Sequence, residues 1–188
     1  ASALYSVLVQ KGFCKRELLA GYLADGSPLT GHPSMGNVPG IEVSSGSLGQ
    51  GLGVASGSAL NAKIYGHDYR VYCIMGDGEQ QEGSVWEAAM FAGHHALDNL
   101  VAIIDDNGLQ IDGPTAEVCN VQSLEAKYRA FGWEVLHCDG HDMADIIDTL
   151  ERADAVQGQP TLIIAKTIKG KCVDFAENVV GYHGIPPK

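Results

Sequence analysis

Basic residues are scarce in this 188-residue chain. Lys and Arg number 12 against 23 Asp and Glu, giving a formal net charge of −11 with histidine neutral. That balance repels a polyphosphate backbone and argues against nucleic-acid binding. Long apolar runs are missing as well. No run approaches the roughly 20 residues that span a bilayer, and Ala1–Gln10 lacks the basic flank of a signal peptide, so no membrane role is expected. The five cysteines (Cys14, Cys73, Cys119, Cys138 and Cys172) form no Cys-x-x-Cys pair. Their odd number argues against a disulfide framework, none is placed for zinc, and a reducing cytoplasm is the simplest setting. A Gly-x-x-x-x-Gly-Lys-Ser/Thr loop is absent, which weakens an ATP- or GTP-binding reading. Gly49-x-Gly51-x-Gly53 has no strand leading into it and no acid at the right remove, so it does not read as a dinucleotide loop.

Glycine, by contrast, is abundant, with 24 residues. Its most informative use is Met75-Gly76-Asp77-Gly78-Glu79, followed one unit later by Asp105-Asp106-Asn107. Arg70–Met75 (RVYCIM) and Leu100–Ile104 (LVAII) are apolar runs of strand length. Between them, Glu82–Leu97 carries Val85, Trp86, Ala89, Met90, Ala92, Gly93 and Ala96 at helical spacing. Strand, helix and strand with short connections predict a right-handed parallel crossover. Ligands in open α/β sheets collect at the carboxyl ends of strands, where Asp77 and Asn107 fall. Mg²⁺ takes about six oxygens at roughly 2.1 Å, several of them from phosphate and water. An Asp carboxylate, an Asn oxygen and a backbone carbonyl just beyond, with Leu109 the natural candidate, would leave room for a diphosphate. Gly76 and Gly78 would present bare N–H groups to it. A helix starting near Glu82 would aim its positive end at the anion. Taken singly, Gly-Asp-Gly and Asn-Gly are also common turns; it is their pairing at this spacing that favours a cation–diphosphate site.

These motifs resemble the thiamine diphosphate (ThDP) fingerprint, and further stretches narrow the resemblance to the transketolase family. Gly31-His32-Pro33, Pro39–Gly51 (PGIEVSSGSLGQG), Gly76–Gly83, Asp105–Gly113 (DDNGLQIDG), Asp139-Gly140-His141-Asp142 and His183-Gly184 occur in the family's order across nearly the whole chain. The resemblance implies an α/β fold: a Rossmann-like parallel sheet flanked by helices that binds ThDP and Mg²⁺, with Ca²⁺ or Mn²⁺ able to stand in. Asp77, Asn107 and the Leu109 carbonyl resemble its metal ligands. Gly76 and Gly78 resemble the diphosphate contacts, with Glu79 beside them as a cofactor contact. Gly46 and Leu48 would line the cofactor. His32 and His183 resemble active-site histidines, His183 also facing the cofactor, and Glu82 and Glu87 resemble acids at a subunit interface. Ser47 stands where long single-chain members often have Pro, which is closer to short two-gene members. The family also has a Gly-His pair just ahead of the position matched by Ala1.

The function implied by the resemblance is that of the N-terminal half, or subunit, of a transketolase. It would transfer a two-carbon ketol unit from a ketose, expected to be phosphorylated, to an aldose. The glutamate that acts on the cofactor's aminopyrimidine belongs, in the family, to a separate pyrimidine-binding domain or subunit, so a dimer or heterotetramer is implied. The alternatives are another ThDP enzyme, such as 1-deoxyxylulose-5-phosphate synthase, and a non-catalytic ThDP-fold scaffold subunit.

Along the chain, the pattern predicts helices over 1–11 and 15–23, a loop over 24–40 and a glycine-bearing helix over 47–65. After the strand–helix–strand unit come a polar loop over 107–120 and a helix over 123–131 capped by Ser123. Strands are expected at 133–137 and 161–165, with an amphipathic helix at 142–156 between them and an irregular tail ending in Pro186-Pro187. With no repeat or linker, residues 1–188 read as a single domain. His94, His95, His67 and His137 read as structural or surface residues. His141 reads as closing a turn, and Lys166, Lys169 and Lys171 read as a solvated or phosphate-screening loop.

Overall fold

The computed structural model describes residues 1–185, so Pro186 and Pro187 at the end of the expected tail lie outside the described residues. The chain divides into two compact units, residues 1–47 and 48–188.

In the first unit, helix α1 spans Ser2–Gln10. Tyr5 and Leu8 project from it into a small core with Leu29, Val38 and Ile41. The Tyr5 hydroxyl donates to the Thr30 carbonyl at 2.9 Å, which satisfies the one polar atom this buried ring carries. The segment expected as a helix over 15–23 forms only a 3-10 turn at Arg16–Gly21 with no buried residue. A helix this short without a buried face has little to stabilise it.

The second unit is built on a parallel sheet of four strands. β1 is Val71–Gly76 and β2 is Leu100–Asp106, with Val71 opposite Leu100 and Gly76 opposite Asp105. Two very short strands, β3 (Leu109–Gln110) and β4 (Gly113–Pro114), form a separate antiparallel hairpin inside the expected polar loop. β5 is Glu134–Asp139 and β6 is Thr161–Lys166. The sheet order is β1-β2-β6-β5, so the last strand inserts between β2 and β5. β6 is consequently apolar on both faces, as its run of buried residues from Thr161 to Ala165 shows.

Helices α2 (Gln50–Tyr65), α3 (Gly83–His94) and α5 (Leu124–Ala130) cover one face, and their core includes Leu52, Val85, Ala89, Tyr128 and Trp133 against Cys73, Met75, Ile104 and Leu162. Helix α6 (Met143–Ala155) covers the other face over β5 and β6, with Ala153, Ile146 and Leu150 against Leu136, Cys138 and Ile163. A one-turn helix, α4 (Thr115–Val118), follows the hairpin. The Trp133 indole donates to the Ala89 carbonyl at 2.8 Å and pins α3 to the start of β5. Beside it, a Cβ on Gly93 would lie 1.8 Å from the Phe131 carbonyl oxygen, so this helical glycine is there to permit close approach. Ser123 caps α5 by accepting from Ala126 N–H, as its sequence position predicts.

The glycines of α2 divide. Gly51 packs against Cys73 Sγ, whereas Gly53 and Gly57 meet nothing within 4 Å among the described residues. Close packing within the chain therefore accounts for only some of them. No helix among the described residues is long and apolar enough to cross a membrane.

Candidate functional site

The register of β1 and β2 sets the site. Because Gly76 lies opposite Asp105, the chain leaves both strands at the same edge of the sheet, and Asp77 N–H donates to the Asp105 carbonyl at 3.2 Å. Asp77 is 4% exposed. Its Oδ1 accepts from Gly78 N–H at 2.9 Å and its Oδ2 from Gly108 N–H at 2.8 Å, with the Thr115 hydroxyl at 3.4 Å from Oδ2. The Gly108 bond brings Asp77 against the peptide that follows Asn107, so the two expected ligands come from adjacent strand tips. Asn107 Oδ1 accepts from Leu109 N–H at 3.0 Å, which fixes the start of the β3–β4 hairpin.

Burial pushes the Asp77 carboxyl above its ordinary value, and nearby Asp106 pushes the same way; the backbone donors Gly108 and Gly78, and Thr115, pull it down. No lysine, arginine or histidine pairs with Asp77 among the described residues. A nearly buried carboxylate without a cationic partner, beside a second acid, is a set of donors that fits a hard divalent cation. Mg²⁺ would be held by Asp77 and Asn107, with the Leu109 carbonyl on the same hairpin.

A 3-10 turn at Gly78–Gln81 stands between β1 and α3, so α3 begins at Gly83 and not directly behind the acid. Three side chains of that turn organise it. Glu79 accepts from Gly49 and Gly76 N–H groups at 2.8 and 3.1 Å. Gln80 is fully buried, donates to the Gly76 carbonyl at 3.1 Å and accepts from the Tyr128 hydroxyl at 2.8 Å. Gln81 accepts from Gln110 at 2.7 Å and donates to the Cys119 carbonyl at 2.7 Å, tying the hairpin loop over the turn. Gly78 is required beneath this loop, since a Cβ there would lie 2.9 Å from Gln110 Cβ.

The remaining expected residues lie farther from this cluster along the chain. Leu48 is exposed, immediately before Gly49, the residue that caps α2. Glu82 precedes α3, and Glu87 lies on its exposed side, along a groove with Gly53, Gly57 and Phe91. His183 follows a 3-10 turn at Val180–Tyr182; partial burial, then the charge of Lys169, hold its pKa below the ordinary value. No side-chain hydrogen bond joins His183 to the Asp77 cluster among the described residues. In the first unit, His32 packs against Gly46, where a Cβ would lie 2.5 Å from His32 Cγ.

Several residues escaped the sequence reading. Lys166 pairs with Asp106 at 3.2 Å, and Thr167 hydrogen-bonds Asp105. Both contacts come from β6 and its end, and no local pattern announces that β6 inserts beside β2. His141 lies in its turn, where its backbone N–H donates to Asp139 Oδ1 at 2.9 Å, and its ring also accepts from Ile168 N–H at 2.8 Å, a distant contact the sequence did not announce. A wide concavity of about 1030 Å³ lies beside it at the ends of β5 and β6, lined by Asp139, Asp145, Lys166 and Lys171.

Comparison with known proteins identifies the family and the fold. The description "Transketolase, thiamine diphosphate binding domain" matches residues 1–188. The chain is 49% identical over 185 residues to a subunit of the apulose-4-phosphate transketolase of Phocaeicola vulgatus, covering 98% of this chain and 66% of that protein. It is 44% identical over 183 residues to a 6-deoxy-6-sulfo-D-fructose transketolase subunit of Clostridium sp. (strain MSTE9), covering 97% and 66%. The chain therefore spans just under two thirds of the length of these curated relatives. Among solved structures, transketolase from Campylobacter jejuni superposes with a TM-score of 0.86 at 36% identity, over 90% of this chain and 28% of that one. Transketolase from Pichia stipitis with sedoheptulose-7-phosphate gives a TM-score of 0.83 at 34% identity, over 98% and 29%. A match along its whole length, with these identities and this fold, shows that the chain belongs to the transketolase family and carries the thiamine diphosphate binding domain.

Proposed function

We propose that this chain is the ThDP- and Mg²⁺-binding part of a two-component transketolase. It would transfer a two-carbon ketol unit from a ketose to an aldose together with a pyrimidine-binding partner subunit or domain. The observation that carries the reading is the Asp77 carboxylate: almost buried, bonded by two backbone N–H groups and without a cationic side chain beside it. Bound ThDP supplies the electron sink that carbon–carbon cleavage needs.

This chain's residues bind and orient. Asp77, Asn107 and the Leu109 carbonyl would hold the cation. Gly76 and Gly78 are not the bare donors expected from the sequence, because their N–H groups are taken by Glu79 and Asp77, and they would serve the diphosphate only by carrying no side chain. Gly46 and Leu48 line the cofactor. A neutral His183, favoured by its lowered pKa, is able to accept a proton or a substrate hydroxyl bond near neutral pH. His32 is the second histidine that the family resemblance implies for the substrate. Glu82 and Glu87, both exposed, face the partner and help form a dimer or heterotetramer.

Two relatives are named as transketolase subunits, one for apulose-4-phosphate and one for 6-deoxy-6-sulfo-D-fructose. Both names describe a ketose with a terminal anion, which supports a phosphorylated or sulfonated ketose as donor here. The free cysteines fit a cytoplasmic setting.

The test is reconstitution with the candidate pyrimidine-domain partner, ThDP and Mg²⁺, assayed on a panel of ketose phosphates and sulfonates with aldose phosphates supplied as acceptors. An aldose two carbons shorter than the donor, formed only when both components are present, is expected. Cofactor binding without turnover across the panel would favour the scaffold alternative.

A further inference from the structure

Glu79 sits two residues beyond Asp77, where an additional cofactor contact would be expected. Its two carboxylate oxygens join two separate backbone segments, the turn before α2 and the end of β1. Oε1 accepts from Gly49 N–H at 2.8 Å and Oε2 from Gly76 N–H at 3.1 Å. Charge-assisted bonds of this kind are about twice as strong as neutral ones. A third acid aimed at a diphosphate would also oppose its binding.

The two glycines that Glu79 joins are each held from both sides. Gly49 is buried, has φ +81° and caps α2, whose first residue is Gln50. Its carbonyl accepts from the Ser84 hydroxyl at 3.1 Å. A Cβ at Gly49 would come within 2.5 Å of that Ser84 oxygen and 2.7 Å of Glu82 Cβ, so the turn is seated tightly on the start of α3. Gly76 ends β1, and its carbonyl accepts from Gln80, which in turn accepts from the Tyr128 hydroxyl. A continuous hydrogen-bonded path therefore runs from Tyr128 on α5 through Gln80, Gly76, Glu79 and Gly49 to Ser84 on α3.

We propose that Glu79 is a positioning residue and not a cofactor ligand. With Ser84 it clamps the turn before α2 to the strand tip that carries Asp77. The clamp fixes the backbone beside Leu48, on one side of the cofactor site, relative to the metal carboxylate on the other. The placing of the cofactor rests on the ThDP reading; the clamp itself does not.

The test is a double-mutant cycle of Glu79→Gln and Ser84→Ala in the full-length protein, with two readouts. The first is amide hydrogen exchange at Gly49 and Gly76 without ThDP or metal. The second is the ThDP dissociation constant in saturating Mg²⁺. Glutamine keeps the shape but offers one acceptor where two donors need one. Loss of a charged-group hydrogen bond predicts exchange faster by about tenfold to a hundredfold at one or both glycines. A ThDP dissociation constant raised about tenfold is also expected, with the two substitutions less than additive because both release Gly49, one at its N–H and the other at its carbonyl. Unchanged protection of both amides in Glu79→Gln would overturn the clamp. Unchanged protection with weaker ThDP binding, fully additive with Ser84→Ala, would make Glu79 a ligand instead. If the parent protein bound no ThDP, the exchange data would still decide the clamp, and the cofactor reading alone would fall.

Discussion

Replacing Asp77 by Asn tests the charge logic of the site with almost no change of shape. The parent side chain divides its oxygens between Gly78 and Gly108 N–H groups. Asparagine has one acceptor oxygen, so one bond is lost, at a cost of about 1.5–3 kcal/mol for a charged acceptor. Against that stands relief of a carboxylate that burial and Asp106 both disfavour. The two effects oppose each other, and the cation-free variant should unfold within about 1 kcal/mol of the parent at pH 7.

The pH dependence has a definite sign. A carboxyl whose folded pKa is raised contributes stability that is present below its unfolded value, ordinarily 3.8, and is lost as pH rises through the folded value. The cation-free parent should lose that contribution across this window, and Asp77→Asn should not. Ligands act in the opposite direction. At one hundred times the dissociation constant, Mg²⁺ with ThDP would add about 2.7 kcal/mol to the parent, and roughly 5–10 °C to its Tm for a domain of this size. The variant should gain nothing. Thermal unfolding with and without Mg²⁺ and ThDP, at several pH values, reads all of these quantities. A variant that keeps the ligand-induced shift would refute the metal assignment. A cation-free variant weaker by several kcal/mol would refute the claim that the buried charge is uncompensated.

Three glycines make further predictions of differing sign. Gly93→Ala places a methyl 1.8 Å from the Phe131 carbonyl oxygen and should lower stability by about 3 kcal/mol in chemical denaturation, despite alanine's better helix propensity. Gly57→Ala, in helix α2 with nothing within 4 Å among the described residues, should raise the stability of the unassembled protein by about 0.5–1 kcal/mol in the same measurement. Gly78→Ala should displace Gln110 and the hairpin loop; about tenfold weaker ThDP binding by calorimetry is expected, and unchanged binding would show that the loop does not bear on the site.

The parts of this structure that were legible in the sequence are those set by local signals. Two apolar runs flanking a helical pattern predicted the β1–α3–β2 unit, and with it the meeting of Asp77 and the Asn107 turn. Ser123 marked the start of α5 because a cap needs only the next three residues. What escaped depended on partners far along the chain. The strands β3 and β4 are two residues each, too short to show alternation, although Gly108 precedes the first and Gly113 opens the second. The pairing of Lys166 with Asp106 required β6 to insert beside β2. Helix α2 starts three residues later than expected because Gly49 adopts φ +81°, a conformation held by Glu79 and Ser84 some thirty residues away. The backbone engagement of Glu79 was hidden for the same reason: its motif placed it beside a cofactor, while its bonding partners place it under the turn.

The central claim is that a divalent cation on Asp77 and Asn107 anchors ThDP through its diphosphate. Calorimetric titration of ThDP into the protein, in Mg²⁺ and again in EDTA, tests it most directly. The account predicts saturable binding that is present with the cation and lost without it. Equal ThDP affinity in both conditions would contradict it.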